Sequence, residues 1–186
     1  MMTWILGIVA LAIIVLLVIL QRADGPYGPI AGGKLMAGNQ IEPYPTDWIS
    51  ALSVDANEVF EVELQLESTG RSRTTGAIVY DGVLYIPCDL GYVWRRIPDF
   101  TTRAILRILW LVKSWHQRVL TDDRVVIRLA DQKFDARLVR VEDNQRVEVI
   151  AQHLTSQAEQ YFKQTLLPVD TDINDIWLFR VEPRNN

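Results

Sequence analysis

The sequence predicts a mainly β domain of the α+β class, an antiparallel barrel with helical insertions, preceded by one N-terminal transmembrane helix. Three observations predict this arrangement. Residues 3–20 carry no charged side chain, residues 60–67 alternate between apolar and polar, and the dipeptide Asp81-Gly82 separates two further apolar segments. An uncharged run of this length matches a membrane span, alternation with period two is typical of a half-buried strand, and Asp-Gly is typical of a hairpin turn.

Composition excludes several classes of protein. The chain has 186 residues and a formal net charge of −4, so a basic surface for DNA or RNA is not expected and nucleic acid is not predicted as a partner. One cysteine, Cys88, excludes an intramolecular disulfide, and with only two histidines a structural zinc site is not expected either. The sequence also lacks a P-loop and a G-x-S-x-G nucleophile motif.

Residues 1–21 are predicted to form the transmembrane anchor. At about 1.5 Å per residue, 18 to 20 apolar residues just cross a hydrocarbon core of about 30 Å. A cleaved signal peptide is the alternative, although the segment has no basic start and no clear small-residue cleavage site. Arg22 and Lys34 follow the run and no basic residue precedes it. This asymmetry favours a single-pass protein whose domain lies on the cytoplasmic side.

Two further regions follow the anchor. Residues 22–47 are rich in glycine and proline and are predicted to be an irregular, partly stiff tether. Residues 48–186 are predicted to form the barrel domain. Its expected strands lie at 60–67, 74–79, 83–86, 124–129, 134–141 and 176–181.

A basic amphipathic helix is predicted near residues 101–119. Its cationic residues are Arg103, Arg107, Lys113, His116 and Arg118, interleaved with Trp110 and Trp115. Two interpretations stay open. Such a helix is typical of an anionic lipid surface, and it is equally typical of a helix that packs on a barrel with its basic face in water. His116 is expected on the surface.

The segment from Arg71 to Thr75 is the main candidate for binding chemistry. Arginine donates bidentate, charge-assisted hydrogen bonds to a phosphate, and threonine hydroxyl groups add neutral ones. The alternative is a pair of exposed arginines at the start of a strand. Cys88 follows a predicted strand, where a packed thiol is the usual interpretation and a reactive thiol the other.

The order of these segments resembles the split β-barrel proteins of the pyridoxamine 5′-phosphate oxidase-like superfamily, which includes deazaflavin-dependent nitroreductase-like members. The residues that carry the resemblance are an alternating strand, then Arg73-Thr74-Thr75, a hairpin that ends in Leu84-Tyr85-Ile86-Pro87, Trp94-Arg95, the hairpin VVIRL…FDARLVRV and the closing WLFRVEPR. The resemblance implies a split antiparallel barrel, FMN or deazaflavin F420 as cofactor, and a site shared across a homodimer. It assigns cofactor binding to Arg71, Arg73, Thr74, Thr75, Trp94 and Arg95.

These observations support three hypotheses about function. The first is a membrane-anchored flavin-type protein, an oxidoreductase if the cofactor turns over near the membrane. The second is a non-catalytic accessory subunit of a larger membrane complex. The third is a lipid- or cofactor-binding module without turnover. Membrane lipid, a second copy of the chain and a larger complex are the partners considered, and the sequence does not decide whether the protein is an enzyme.

Overall fold

The structure is a computed structural model of the chain that describes residues 2–27, 30–42, 45, 47–55, 58–111, 114–163, 165–167 and 172–184. Within these ranges, the side chains of residues 2, 3, 5, 6, 13, 17, 20, 52, 108–111 and 162 are not described. The elements, in chain order, are α1 (Met2–Arg22), β1 (Asn39–Gln40), α2 (Trp48–Leu52), β2 (Val59–Leu66), β3 (Arg71–Tyr80), β4 (Val83–Asp89), α3 (Phe100–Leu111), α4 (Trp115–Val119), β5 (Arg124–Leu129), β6 (Gln132–Arg140), α5 (Asn144–Phe162) and β7 (Ile176–Pro183).

Six antiparallel strands form a closed barrel in the order β6-β5-β2-β3-β4-β7, and β7 pairs back onto β6. The short strand β1 adds to β6 in parallel. The split barrel predicted above is therefore wrong. Because β6 is bonded to β5 on one side and to β7 on the other, the ring has no open edge.

The barrel interior holds one hydrophobic core, made by the alternate residues of each strand. Val62, Leu64, Ala77, Val79, Ile127 and Phe179 are among its fully buried members. Two short helices add to this core from outside the sheet. Trp48 of α2 packs edge-on against Phe134 at 5.3 Å between ring centroids, and α4 contributes Trp115 and Val119.

A second core lies on the outer face of the barrel, beneath α5. Val147, Ile150 and Ala151 of this helix pack against Ile78 and Tyr85 of the sheet. Asp143 caps the helix, because its carboxylate accepts hydrogen bonds from the N–H groups of residues 145 and 146. Consequently, α5 covers part of the β3–β4–β7 face.

The membrane predictions are corrected by the structure. A span needs about 20 consecutive apolar residues. In the part of the chain that the structure describes, no helix is long and apolar enough to cross a membrane. This finding overturns the predicted anchor over 1–21, the single-pass location and the cytoplasmic placement inferred from it.

The described part of the predicted tether lies on the barrel. Gly32 and Ser72 exchange backbone hydrogen bonds, of 3.0 Å from the Gly32 N–H and 3.4 Å from the Ser72 N–H. The Ser72 hydroxyl donates to the Gly33 carbonyl at 2.5 Å, and Leu35 is buried. Residues 28, 29, 43, 44 and 46 of this segment lie outside the described residues.

Candidate functional site

The start of β3 divides the predicted phosphate-binding residues between two faces of the barrel. Ala77 and Val79 belong to the interior core. Since side chains alternate along a strand, Arg71, Arg73 and Thr75 share their face, whereas Thr74 lies on the opposite one. The structure therefore brings three of these four residues to one side of the strand and separates Thr74 from them.

Arg73 is the most unusual of these residues. Its guanidinium carbon lies 5.9 Å from the centroid of the Trp115 ring, and its buried Nε has no hydrogen-bond partner among the described residues. Burial is the main cause that lowers the pKa of Arg73 to about 10; Cys88 opposes the shift, and the charges of Arg118 and Arg71 contribute to it. Among the described residues, the charged groups that act on the Arg73 guanidinium include two further arginines and no carboxylate.

Aromatic rings continue from Trp115 around the same end of the barrel. Ring centroids are 6.4 Å apart for Trp115 and His116 and 4.9 Å apart for His116 and Trp177. The guanidinium of Arg140 lies 3.9 Å from the centroid of the Trp177 ring. Trp177 is paired with Cys88 across β4 and β7, which places these residues at the end where β3 begins.

We call this end the barrel mouth and define it by Arg73, Cys88, Trp115, His116, Arg140 and Trp177. Phe179 lies beneath it, with its ring centroid 5.4 Å from that of Trp115. A cavity of about 240 Å³ adjoins the barrel mouth and is lined by Arg140 and Trp177 among other residues. The arrangement can hold a negatively charged group near Arg73 and a flat ring against the half-buried Trp177, whereas Trp115 is buried in the core.

Trp94 and Arg95 lie in a short 3-10 helix, Trp94–Arg96, after β4. The carboxylate of Asp89 fixes this turn by accepting hydrogen bonds from three N–H groups, those of Gly91, Val93 and Trp94. Arg95 forms an ion pair of 2.9 Å with Asp175. These contacts hold the turn in place. The guanidinium of Arg95 already has a carboxylate partner in Asp175.

The predicted basic helix is two helices, α3 and α4, and the sequence placed one residue of α4 wrongly. His116 was expected on the surface, but it is only 6% exposed. Trp115 is also buried, so α4 packs on the barrel. Lys113 lies outside the described residues, as does the side chain of Trp110.

Two residues of the barrel mouth, Arg140 and Trp177, were not singled out by sequence reasoning. Trp115 and His116 were predicted on the basic helix, for which a lipid surface and packing on the barrel both stayed open. Arg140 and Trp177 lie on strands that are separated by α5. Their contact depends on the pairing of β6 with β7.

Comparison with known proteins adds no family to this description. No protein-family model matches the chain. No curated protein sequence matches it either.

Proposed function

We propose that the barrel mouth binds a phosphate-bearing aromatic ligand of the flavin class, FMN or deazaflavin F420. The observation that carries the proposal is Arg73, a largely buried guanidinium whose Nε has no partner in the described part of the chain and whose pKa is affected by two further arginines. A buried polar atom without a partner costs about 1–3 kcal/mol. A bound phosphate would supply the missing acceptor and the missing negative charge.

The surroundings of Arg73 support the same class of ligand. Glu67, the carboxylate nearest to Arg71 in the sequence, is engaged elsewhere, because it accepts a 2.7 Å hydrogen bond from Arg184. Trp177 is half-buried at the rim of the barrel mouth, and an aromatic ring system stacks favourably on an apolar ring of this kind.

The residues proposed to hold the ligand differ from those that the resemblance assigned. Arg73, with Arg71, Arg118 and the hydroxyl of Thr75, would bind the phosphate, and Trp177 would contact the ring system. Arg95 is left out because it is paired with Asp175. A flavin bound here would supply hydride or electron transfer, while the protein positions it and limits its contact with water.

Titration of the purified protein with FMN, followed by the absorbance and fluorescence of the flavin, tests the proposal. Replacing Arg73 by methionine removes charge-assisted hydrogen bonds, each worth about 1.5–3 kcal/mol, so the affinity should fall about 10- to 100-fold. Arg137→Met is the matched control, since Arg137 pairs with Asp123 outside the barrel mouth. Equal affinities of the wild type and Arg73→Met would overturn the proposal.

A non-catalytic accessory subunit of a larger protein assembly is the second candidate. One observation favours it: Trp4, Ile8 and Leu11 of α1 are 79%, 66% and 62% exposed. A contiguous apolar surface of this kind is typical of protein–protein contacts. In that case, Ile8→Lys with Leu11→Lys should release the protein from its native assembly in size-exclusion chromatography, without changing the titration with FMN.

A further inference from the structure

A second concave surface lies on the outside of the barrel, between the first turn of α5 and the strands β4, β7 and β6. We call it the outer groove. It has a volume of about 530 Å³, within the range typical of small-molecule sites. Its lining includes two valines, a tyrosine and three arginines: Val83, Tyr85, Val139, Arg140, Arg146 and Arg180.

Strand register fixes the floor of the outer groove. Arg180 of β7 is paired with Tyr85 of β4 on one side and with Val139 of β6 on the other. These three side chains therefore form a row across the outer face. Val83, two residues before Tyr85, extends the apolar part of the row. The side chains of α5 bury Tyr85 from one direction but leave the two valines half-buried.

Three guanidinium groups line the outer groove, and two of them have aromatic partners. Arg146 donates a 3.0 Å hydrogen bond to the phenol oxygen of Tyr85. Arg140 stacks on Trp177 at 3.9 Å. Arg180, on the floor, pairs with Glu182. A guanidinium has five N–H donors, which is more than these contacts use.

Carboxylates also face the outer groove, and two of them are already engaged. Asp143 accepts hydrogen bonds from the N–H groups of Gln145 and Arg146, at 3.0 and 3.3 Å. Asp81 is 3.8 Å from Arg146 and its side chain is 73% exposed. Glu142 is the third. The guanidinium groups of Arg146 and Arg180 lie beside the apolar residues of the row, whereas the carboxylate of Asp143 caps the first turn of α5.

We propose that the outer groove binds an amphiphilic oxyanion, a small molecule with one carboxylate or phosphate on an apolar chain or ring. The apolar part would lie along Val83 and Val139 and displace water from them. The oxyanion would accept hydrogen bonds from Arg146 and Arg180. This site is on the outer face of the sheet, does not depend on the proposed flavin site, and shares only Arg140 with the barrel mouth.

Calorimetric titration with decanoate tests the inference, with decan-1-ol as the uncharged probe. The wild type should bind decanoate at least about tenfold more tightly than decan-1-ol, because a charge-assisted hydrogen bond contributes about 1.5–3 kcal/mol. The double variant Arg146→Gln with Arg180→Gln should lose that preference. Arg137→Gln, which removes a cation outside the groove, should keep it. Arg140 also belongs to the barrel mouth and is left unchanged. A negative result with decanoate is therefore independent of the flavin proposal.

A steric variant distinguishes the loss of the binding site from a loss of folding. Val139→Trp keeps all three arginines but fills the outer groove, and it should abolish decanoate binding while the circular dichroism spectrum is unchanged. Equal affinity for decanoate and decan-1-ol would overturn the inference. So would a double variant or a Val139→Trp protein that binds decanoate like the wild type.

Discussion

The guanidinium carbon of Arg73 lies 5.9 Å from the centre of the Trp115 ring, at the end of the barrel that α4 covers. The two residues come from different parts of the chain, one from the second barrel strand and one from a five-residue helix. Their contact places a cation against a residue of the apolar core, and among the described residues the groups that act on its pKa include a thiol and two arginines but no carboxylate. We interpret this as a site kept for an anionic ligand.

A site of this kind should reduce the stability of the protein without its ligand. Replacing Arg73 by methionine removes an unpaired buried donor and keeps most of the side-chain volume. We therefore expect the free energy of unfolding to rise by about 1–3 kcal/mol in urea titrations. Arg71→Met, at an exposed position of the same strand, should change it little. A loss of stability in Arg73→Met would show that Arg73 serves the fold rather than a ligand.

The clamp formed by Asp24, Glu63 and Arg128 should hold the segment before β1 on the barrel. Arg128 Nη1 contacts Asp24 at 2.9 Å, its Nε pairs with Glu63, and its side chain is only 11% exposed. The Asp24 carboxylate also accepts the N–H groups of Met36 and Ala37. Arg128→Ala should accelerate hydrogen exchange at these two amides, with the barrel strands still protected.

A control variant separates this clamp from general destabilisation. Arg137→Ala removes a barrel arginine whose ion pair with Asp123 does not involve residues before β1. It should leave exchange at residues 36 and 37 unchanged. Equal acceleration in both variants would contradict the role given to Arg128.

Gly32 is predicted to tolerate no side chain. A Cβ atom at this position would overlap the backbone carbonyl of Gly25, which has no flexible side chain to move aside. Gly32→Ala should therefore break the contact of this segment with Ser72, seen as faster exchange of the Gly32 and Ser72 amides and a lower free energy of unfolding. Gly7→Ala in α1 meets no atom within 4 Å and should not lower the free energy of unfolding, because alanine is the better helix former. Equal stability of the two variants would argue against the docked segment.

Acid should weaken the fold in part through Asp122. The hydrogen bond from Arg124 lowers the pKa of Asp122 from 3.8 to about 2. Because the pKa is lower in the folded chain, this contribution is complete above pH 3.8 and is lost as the pH falls through about 2. The pKa of Glu67 is lowered in the same direction, chiefly by the hydrogen bond from Arg184.

The measurement is the free energy of unfolding from pH 5 to pH 2 for the wild type and Asp122→Asn. The variant should lose stability less steeply, and added salt should reduce the difference because the pair is close to solvent. Identical slopes would contradict the account of this ion pair.

Local signals in the sequence predicted the hairpins well. Asp81 and Gly82 both have positive φ, 52° and 72°, as expected for the turn between β3 and β4. Ala130 and Asp131 form the turn of the second hairpin with φ of 47° and 62°. In each case the residues that determine the turn are adjacent in the sequence.

Closure of the barrel and the composition of the barrel mouth depend on contacts between distant segments. Pairing of β6 with β7 spans the whole of α5, so nothing in either strand shows that they are neighbours. Arg73 was recognised from its sequence neighbours, but its contact with Trp115 joins segments that are far apart in the sequence. Thr74 was included with Arg73 although alternation along the strand turns it to the other face.

The most direct test of the proposed flavin site compares FMN with riboflavin, which lacks the phosphate. Thermal unfolding of the purified protein is followed with each ligand at the same concentration. A ligand that binds only the folded state raises the unfolding temperature according to its affinity. The account predicts that FMN raises it, that riboflavin raises it much less, and that Arg73→Met removes the difference. Equal shifts with both ligands, or no shift with FMN, would contradict a phosphate site at Arg73.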